Sequence, residues 1–368
     1  MHFGLSEEQE LLQETVRSFV AGECPPARRR ALFESGSGHD PALWKGLAEI
    51  GLTGLVVSEV YGGAGLELLE LALACEVLGE GALPAPFAFH SLACLAIAHG
   101  GNEAQRARWL PALASGEAIG TLALAEAGDA WEPSLASGGR AVAEAGRLHG
   151  ATRHVPNADI ADVWVVGCAG GAGGALALVE RGAPGVSIAP AACIDRTRPL
   201  FDVRFDAAPC DVLADGANGG PLAERVRDAG LSLLAADAFG AAWRLIHATV
   251  DHARARRQFG RPIAEFQAVK HQLADMATAI EPTRGLLWYA AHAFDHLPED
   301  AAHAAAIAKA HITDRAVEVA RAAVELHGGI GFTWECDVQI WLKRAMFDRA
   351  FLGTPEHHRA RSAALAGW

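Results

Sequence analysis

Residues 231–263 read LSLLAADAFGAAWRLIHATVDHARARRQFGRPI. Leu234, Ala238, Ala242, Leu245 and Thr249 recur on one stripe, so this stretch is expected to form a long helix with one face in a core. Gly260-Arg261-Pro262 ends it, because proline removes a donor and clashes with the preceding turn. A second helix is expected from near Pro262, with Phe266, Val269, Leu273, Met276 and Ile280 inward and Pro282 as a kink or a stop. A third carries Ile312, Ala316, Val319, Ala323 and Leu326 in a 4-3-4-3 spacing suited to bundle packing. His327-Gly328-Gly329 stops that helix, and a fourth runs from about Glu335 to Leu352.

Upstream the pattern changes twice. Between 119 and 222, short apolar runs such as Thr121–Ala125, Val163–Gly167, Ala175–Val179 and Val203–Phe205 alternate with Gly, Pro, Asn and Asp, which is the signature of strands and turns. The glycine-rich stretch Gly170–Gly174 matches no phosphate-loop pattern and reads as a hairpin connection. Residues 1–118 read as helical, from an N-cap at Ser6 followed by acidic residues in the first turn. The expected fold is mostly α with a central β domain. An N-terminal helical domain (1–118), a small β-barrel or sandwich (119–222) and a C-terminal four-helix bundle (223–368) follow in order.

Composition narrows the function. The 368 residues carry a net charge of −13, which argues against nucleic-acid binding but leaves room for a local arginine cluster around a small anion. The seven cysteines include no CxxC pair, and the sixteen histidines show no metal-ligand spacing, so no metal site is expected. No window of about 20 residues looks apolar enough to span a bilayer. The N-terminus lacks a signal-peptide pattern, and a cytoplasmic protein is expected.

Three segments carry a family resemblance. They are Arg256-Arg257-Gln258-Phe259-Gly260-Arg261-Pro262-Ile263 with Phe266-Gln267 and His271–Met276, Glu325-Leu326-His327-Gly328-Gly329-Ile330-Gly331-Phe332, and Trp44–Gly65 with Tyr61-Gly62-Gly63-Ala64-Gly65. In order and spacing the chain resembles the acyl-CoA dehydrogenases over nearly its whole length. Weaker matches resemble the branch that degrades steroid or other bulky acyl-CoA thioesters, whose members can form heterotetramers.

The resemblance implies FAD as cofactor, an acyl-CoA substrate and an electron-transfer flavoprotein as electron acceptor. It also implies a dimer or tetramer of like or unlike chains. Carried over by position, Arg256, Gln258, Phe259 and Gln267 would reach the pyrophosphate and adenine side of FAD. Glu325, Gly328, Gly329 and Thr354 would complete that set. Arginine offers a fixed fork to phosphate oxygens, and paired glycines let backbone N–H groups approach an anion.

The reaction needs a carboxylate to take the α proton while the flavin accepts hydride from the β carbon. Here the two places where relatives keep that glutamate hold Leu352 and Gly230. Asp237, two helical turns after Gly230, is the expected base, in a substrate pocket with Leu234 and Arg244. Pairing with Arg244 on the same helix face is its structural alternative.

Further departures are Leu124–Asp129, where Ala125 replaces a flavin-side hydroxyl, His154-Val155-Pro156 beside the ring, and the acids Glu325 and Glu356. They bring in a half-site or non-catalytic partner subunit as an alternative. Another flavin chemistry on the same fold, of monooxygenase or nitroalkane-oxidase type, is a second. Asp195-Arg196-Thr197-Arg198 reads as a salt-bridged structural turn, and His357-His358 as an exposed tail pair.

Overall fold

The computed structural model describes residues 4–124, 141–170, 173–213 and 219–368. Helices α1 (Glu7–Glu23), α2 (Pro26–Ser35), α3 (Pro41–Glu49), α4 (Leu68–Glu80), α5 (Phe87–Gly100) and α6 (Glu103–Ala114) come first. Ser6 starts α1 with a reciprocal cap: its Oγ accepts the Gln9 N–H at 3.2 Å while Gln9 Oε1 accepts the Ser6 N–H at 2.9 Å.

The strands follow: β1 (Gly120–Ala123), β2 (Val142–Glu144), β3 (Arg147–Pro156), β4 (Val163–Gly170), β5 (Gly173–Glu180), β6 (Val186–Ala191), β7 (Leu200–Pro209) and β8 (Asp211–Val212). They form one mixed sheet in the order β6-β7-β3-β2-β4-β5-β8, with β1 parallel to β4. The antiparallel β4–β5 pairing runs to Gly170 opposite Gly173, so the glycine-rich stretch joins two strands. Residues 171–172 lie outside the described part.

The rest is helical: α7 (Gly219–Ala255), a two-stranded hairpin of β9 (Arg257–Gln258) and β10 (Arg261–Pro262), α8 (Gln267–Ile280), α9 (Arg284–His296), α10 (Pro298–His327), α11 (Val338–Ala350) and α12 (Pro355–Leu365). α7 is the axis, packed on α4, α10 and α11. Two glycines make its crossing with α4 unusually close. A Cβ on Gly240 would stand 1.9 Å from the Glu76 carbonyl oxygen, and one on Gly79 2.2 Å from the Asp237 carbonyl oxygen.

Three sequence expectations need correcting. α7 is in fact long and apolar enough by composition to cross a membrane, but its most apolar window is 89% buried, covered by other helices. The region between Pro282 and Ile312 holds a separate helix, α9, where only a break was expected. His357-His358 is no exposed tail, because α12 folds back and buries His358, whose Nε2 meets the Leu352 carbonyl oxygen at 2.8 Å.

Candidate active site and cofactor surface

The close α4–α7 crossing brings Cys75 and Leu78 of α4 against Leu233, Leu234 and Asp237 of α7. Together with Leu83, Phe87, Phe89, Arg198 and Arg344 these line a narrow internal pocket. Leu234 lines this pocket. Arg244 does not: one face of α7 carries it past this pocket to a separate one beside α1 and α2.

Asp237 is buried, and its partners come from other elements. Arg344 of α11 grips it with Nε at 2.8 Å from Oδ2 and one terminal nitrogen at 2.7 Å from Oδ1. Arg198, from the turn before β7, donates to the same carboxylate and to Asp348 of α11. Arg344 also reaches the Leu83 carbonyl at 3.2 Å and Thr197 Oγ1 at 2.9 Å. Asp195 holds that turn by accepting the Thr197 N–H at 2.9 Å. The Asp195–Arg198 segment is thus a buried clasp between the sheet and the bundle.

Burial alone would raise the proton affinity of Asp237. Arg198 and Arg344 outweigh it and hold the carboxyl well below the usual range. Asp348 goes the other way: burial raises it, and the neighbouring Asp237 adds to that. Lys309 of α10 donates to the Asp348 carbonyl oxygen, and burial pushes its ammonium down to about 7. A carboxylate with both oxygens engaged by guanidinium groups is a poor proton acceptor.

Gly230 and Leu352 face each other. A Cβ on Gly230 would lie 2.8 Å from Leu352 Cδ1 and 3.2 Å from Leu92 Cδ1. Around them Phe347 and Phe351 stack at 5.0 Å, and Phe89 meets Phe351 edge-on at 5.2 Å.

The expected cofactor residues gather elsewhere. Phe259 and Gly260 form the two-residue turn of the β9–β10 hairpin with φ of 51° and 83°. That turn favours Asn-Gly, so a phenylalanine there is strained, and its ring is 92% exposed. Arg256, Gln258 and Gln267 are exposed beside it. His252 of α7 stacks on His327 of α10 with centroids 4.3 Å apart, which joins the hairpin to the Gly328-Gly329 turn. A Cβ on either glycine would meet no atom within 4 Å, so backbone there is open to a ligand. Glu325 is exposed on the same helix end.

Thr354 and Glu356 have local partners. Thr354 caps α12, accepting the His357 N–H at 3.4 Å, and Glu356 pairs with Arg349 at 2.7 Å. His154-Val155-Pro156 ends β3, with Pro156 opposite Leu200. Ala125 to Asp129 lie outside the described residues.

Sequence reasoning missed Arg198, Arg344, Asp348 and Lys309 as a unit. The available signal was Arg344 and Asp348, four apart on the same face of α11 between Trp341 and Phe351.

A mostly helical chain with a central mixed sheet, an internal pocket and an exposed basic hairpin beside a Gly-Gly turn has the build of a flavin-dependent dehydrogenase of thioesters. The acyl-CoA dehydrogenase N-terminal domain matches residues 6–117, and the C-terminal domain matches residues 230–366. The acyl-CoA dehydrogenase IpdE2 of Mycobacterium tuberculosis is 35% identical over 350 residues, 95% of this chain and 94% of that one. The Tcur3481–Tcur3483 steroid ACAD variant superposes with a TM-score of 0.90 at 32% identity, covering 98% of both chains. Butyryl-CoA dehydrogenase from Megasphaera elsdenii gives 0.91 at 25% identity over the full length of both. The chain belongs to the acyl-CoA dehydrogenase family, flavin-dependent oxidoreductases acting on CH–CH bonds.

The family uses FAD, which when bound supplies the hydride acceptor. The hairpin and the Gly-Gly turn bring cationic forks, open backbone and an unburied aromatic ring together, a donor set that would suit the phosphates of such a cofactor.

Proposed function

We propose that this chain serves the α,β-dehydrogenation of an acyl-CoA thioester as one subunit of a heteromer, with the proton-abstracting carboxylate supplied by a different chain. One observation carries this reading. Asp237 is held by two arginines, while Gly230 and Leu352 leave no acid at either place used by relatives.

The position of the cofactor surface supports it. Arg256 lies roughly 28 Å along α7 from Asp237 at the usual helical rise. A surface so far from this chain's own pocket suits the diphosphate end of a cofactor whose ring sits in a neighbouring subunit, of like or unlike chain. The similarity to a steroid ACAD favours a bulky or ring-bearing acyl group, with electrons passing on to an electron-transfer flavoprotein. We place the protein in the cytoplasm: among the described residues the one helix long and apolar enough to cross a membrane is 89% buried in its most apolar window.

The visible absorption spectrum of the purified chain tests this, alone and with the product of a neighbouring dehydrogenase-like gene. A colourless chain that turns yellow only with its partner is expected. One flavin per chain in isolation, bleached by an acyl-CoA, would sink the proposal. A second reading, with Asp237 as the base, is favoured by its place on the wall of the pocket beside Leu233 and Leu234.

A further inference from the structure

Arg244 faces a pocket that no step above uses. It is an open cleft where α1, α2, α4 and α7 meet, with a volume of about 280 Å³, just below the ~300 Å³ at which small-ligand sites begin. Its wall is apolar, built from Val20, Cys24 and Val77, and its charged members are Arg17, Arg29, Arg244 and Glu80.

The charges do not balance. Glu80 lies 3.7 Å from Arg17. Arg29 is 6% exposed, and its Nε has no hydrogen-bond partner. Asp337 divides its carboxylate between two arginines, one oxygen 3.8 Å from Arg29 and the other 2.8 Å from Arg30, and Arg29 also reaches the Gly81 carbonyl oxygen at 3.5 Å. Among the described residues Arg244 has no carboxylate within ion-pair distance. Both guanidinium groups lie over the Trp341 ring, with Cζ 4.6 Å from its centroid for Arg29 and 5.8 Å for Arg244. Burial lowers the proton affinity of Arg29, and the nearby Arg244 lowers it further. Two cations on one ring, one of them buried with a free donor, leave room for an anion to complete the site.

We infer that this pocket binds a small organic carboxylate, its head between Arg29 and Arg244 and its short apolar part against Val20, Cys24 and Val77. The site is distinct from the acyl pocket but shares α7 and α11 with it. Trp341 and Arg344 are three residues apart on α11, and Arg244 and Asp237 seven apart on α7.

Calorimetric titration of the full-length chain with hexanoate, and separately with inorganic phosphate, tests this. Hexanoate should bind at one site per chain, with phosphate at least about tenfold weaker. Arg244→Gln, a half-buried position that should fold, should weaken hexanoate by about tenfold or more, the worth of a charged hydrogen bond. Val20→Trp should abolish binding by filling the apolar wall. Hexanoate that fails to saturate at millimolar concentration, or binds both variants unchanged, overturns the inference. Phosphate binding as tightly as hexanoate would leave the apolar wall without a role and overturn the ligand class.

Discussion

Leu352 packs onto Gly230, its Cδ1 lying 2.8 Å from where a Cβ on that glycine would stand. A side chain at Gly230 would have to displace Leu352 or Leu92, so the apolar packing here depends on the glycine.

Asp237→Asn separates the two readings of the site. Breaking a buried ion pair leaves Arg344 and Arg198 short of a counter-charge, so a loss of about 3–5 kcal/mol in folding stability is expected. Turnover per bound flavin in the assembled heteromer should change by less than about tenfold. A loss of several orders of magnitude with stability intact would instead make Asp237 the base.

Arg256→Gln should loosen flavin in the heteromer. One charge-assisted hydrogen bond to a phosphate is worth about 1.5–3 kcal/mol, or roughly ten- to a hundredfold in affinity. Flavin retained through gel filtration as in the unmodified complex would remove Arg256 from the cofactor surface.

The α4–α7 crossing makes a sharp prediction about two glycines. Gly240→Ala sets a methyl group 1.9 Å from the Glu76 carbonyl oxygen, which is backbone and cannot swing aside. A cost of about 3 kcal/mol or more is expected in chemical denaturation. Gly285→Ala, on α9 with no atom within 4 Å, should stabilise by about 0.5–1 kcal/mol.

Lys309 gives a pH dependence. Its folded proton affinity sits at about 7, below the ordinary lysine value of 10.5. Between those values the unfolded chain binds the extra proton, so this residue costs stability most below pH 7 and progressively less as pH rises toward 10.5. The stability difference between Lys309→Met and the unmodified chain should therefore shift in favour of the unmodified chain between pH 6 and pH 9. A difference that does not vary with pH would mean Lys309 titrates normally.

Local pattern carried most of the fold into view. The Leu234–Thr249 stripe, the stop at Gly260-Arg261-Pro262 and the cap at Ser6 all rest on interactions within a few residues. What escaped was settled by distant partners. Asp237 reads as buried, but its counter-ion is Arg344, 107 residues away, where helix periodicity offers only Arg244. His358 looks like part of a tail until the Leu352 carbonyl is seen to need a donor. The apolarity of α7 is spread over a stretch that charged residues punctuate, which hides how completely other helices must cover it.

That covering has a cost in time. α4 is already made when α7 leaves the ribosome, but α10, its largest partner, is complete only about 70 residues later. At the usual 5–20 residues per second this leaves one flank of an apolar helix bare for on the order of ten seconds. During that interval the exposed apolar face is open to association with other unfolded chains, so the yield of folded protein is expected to depend on the rate of synthesis.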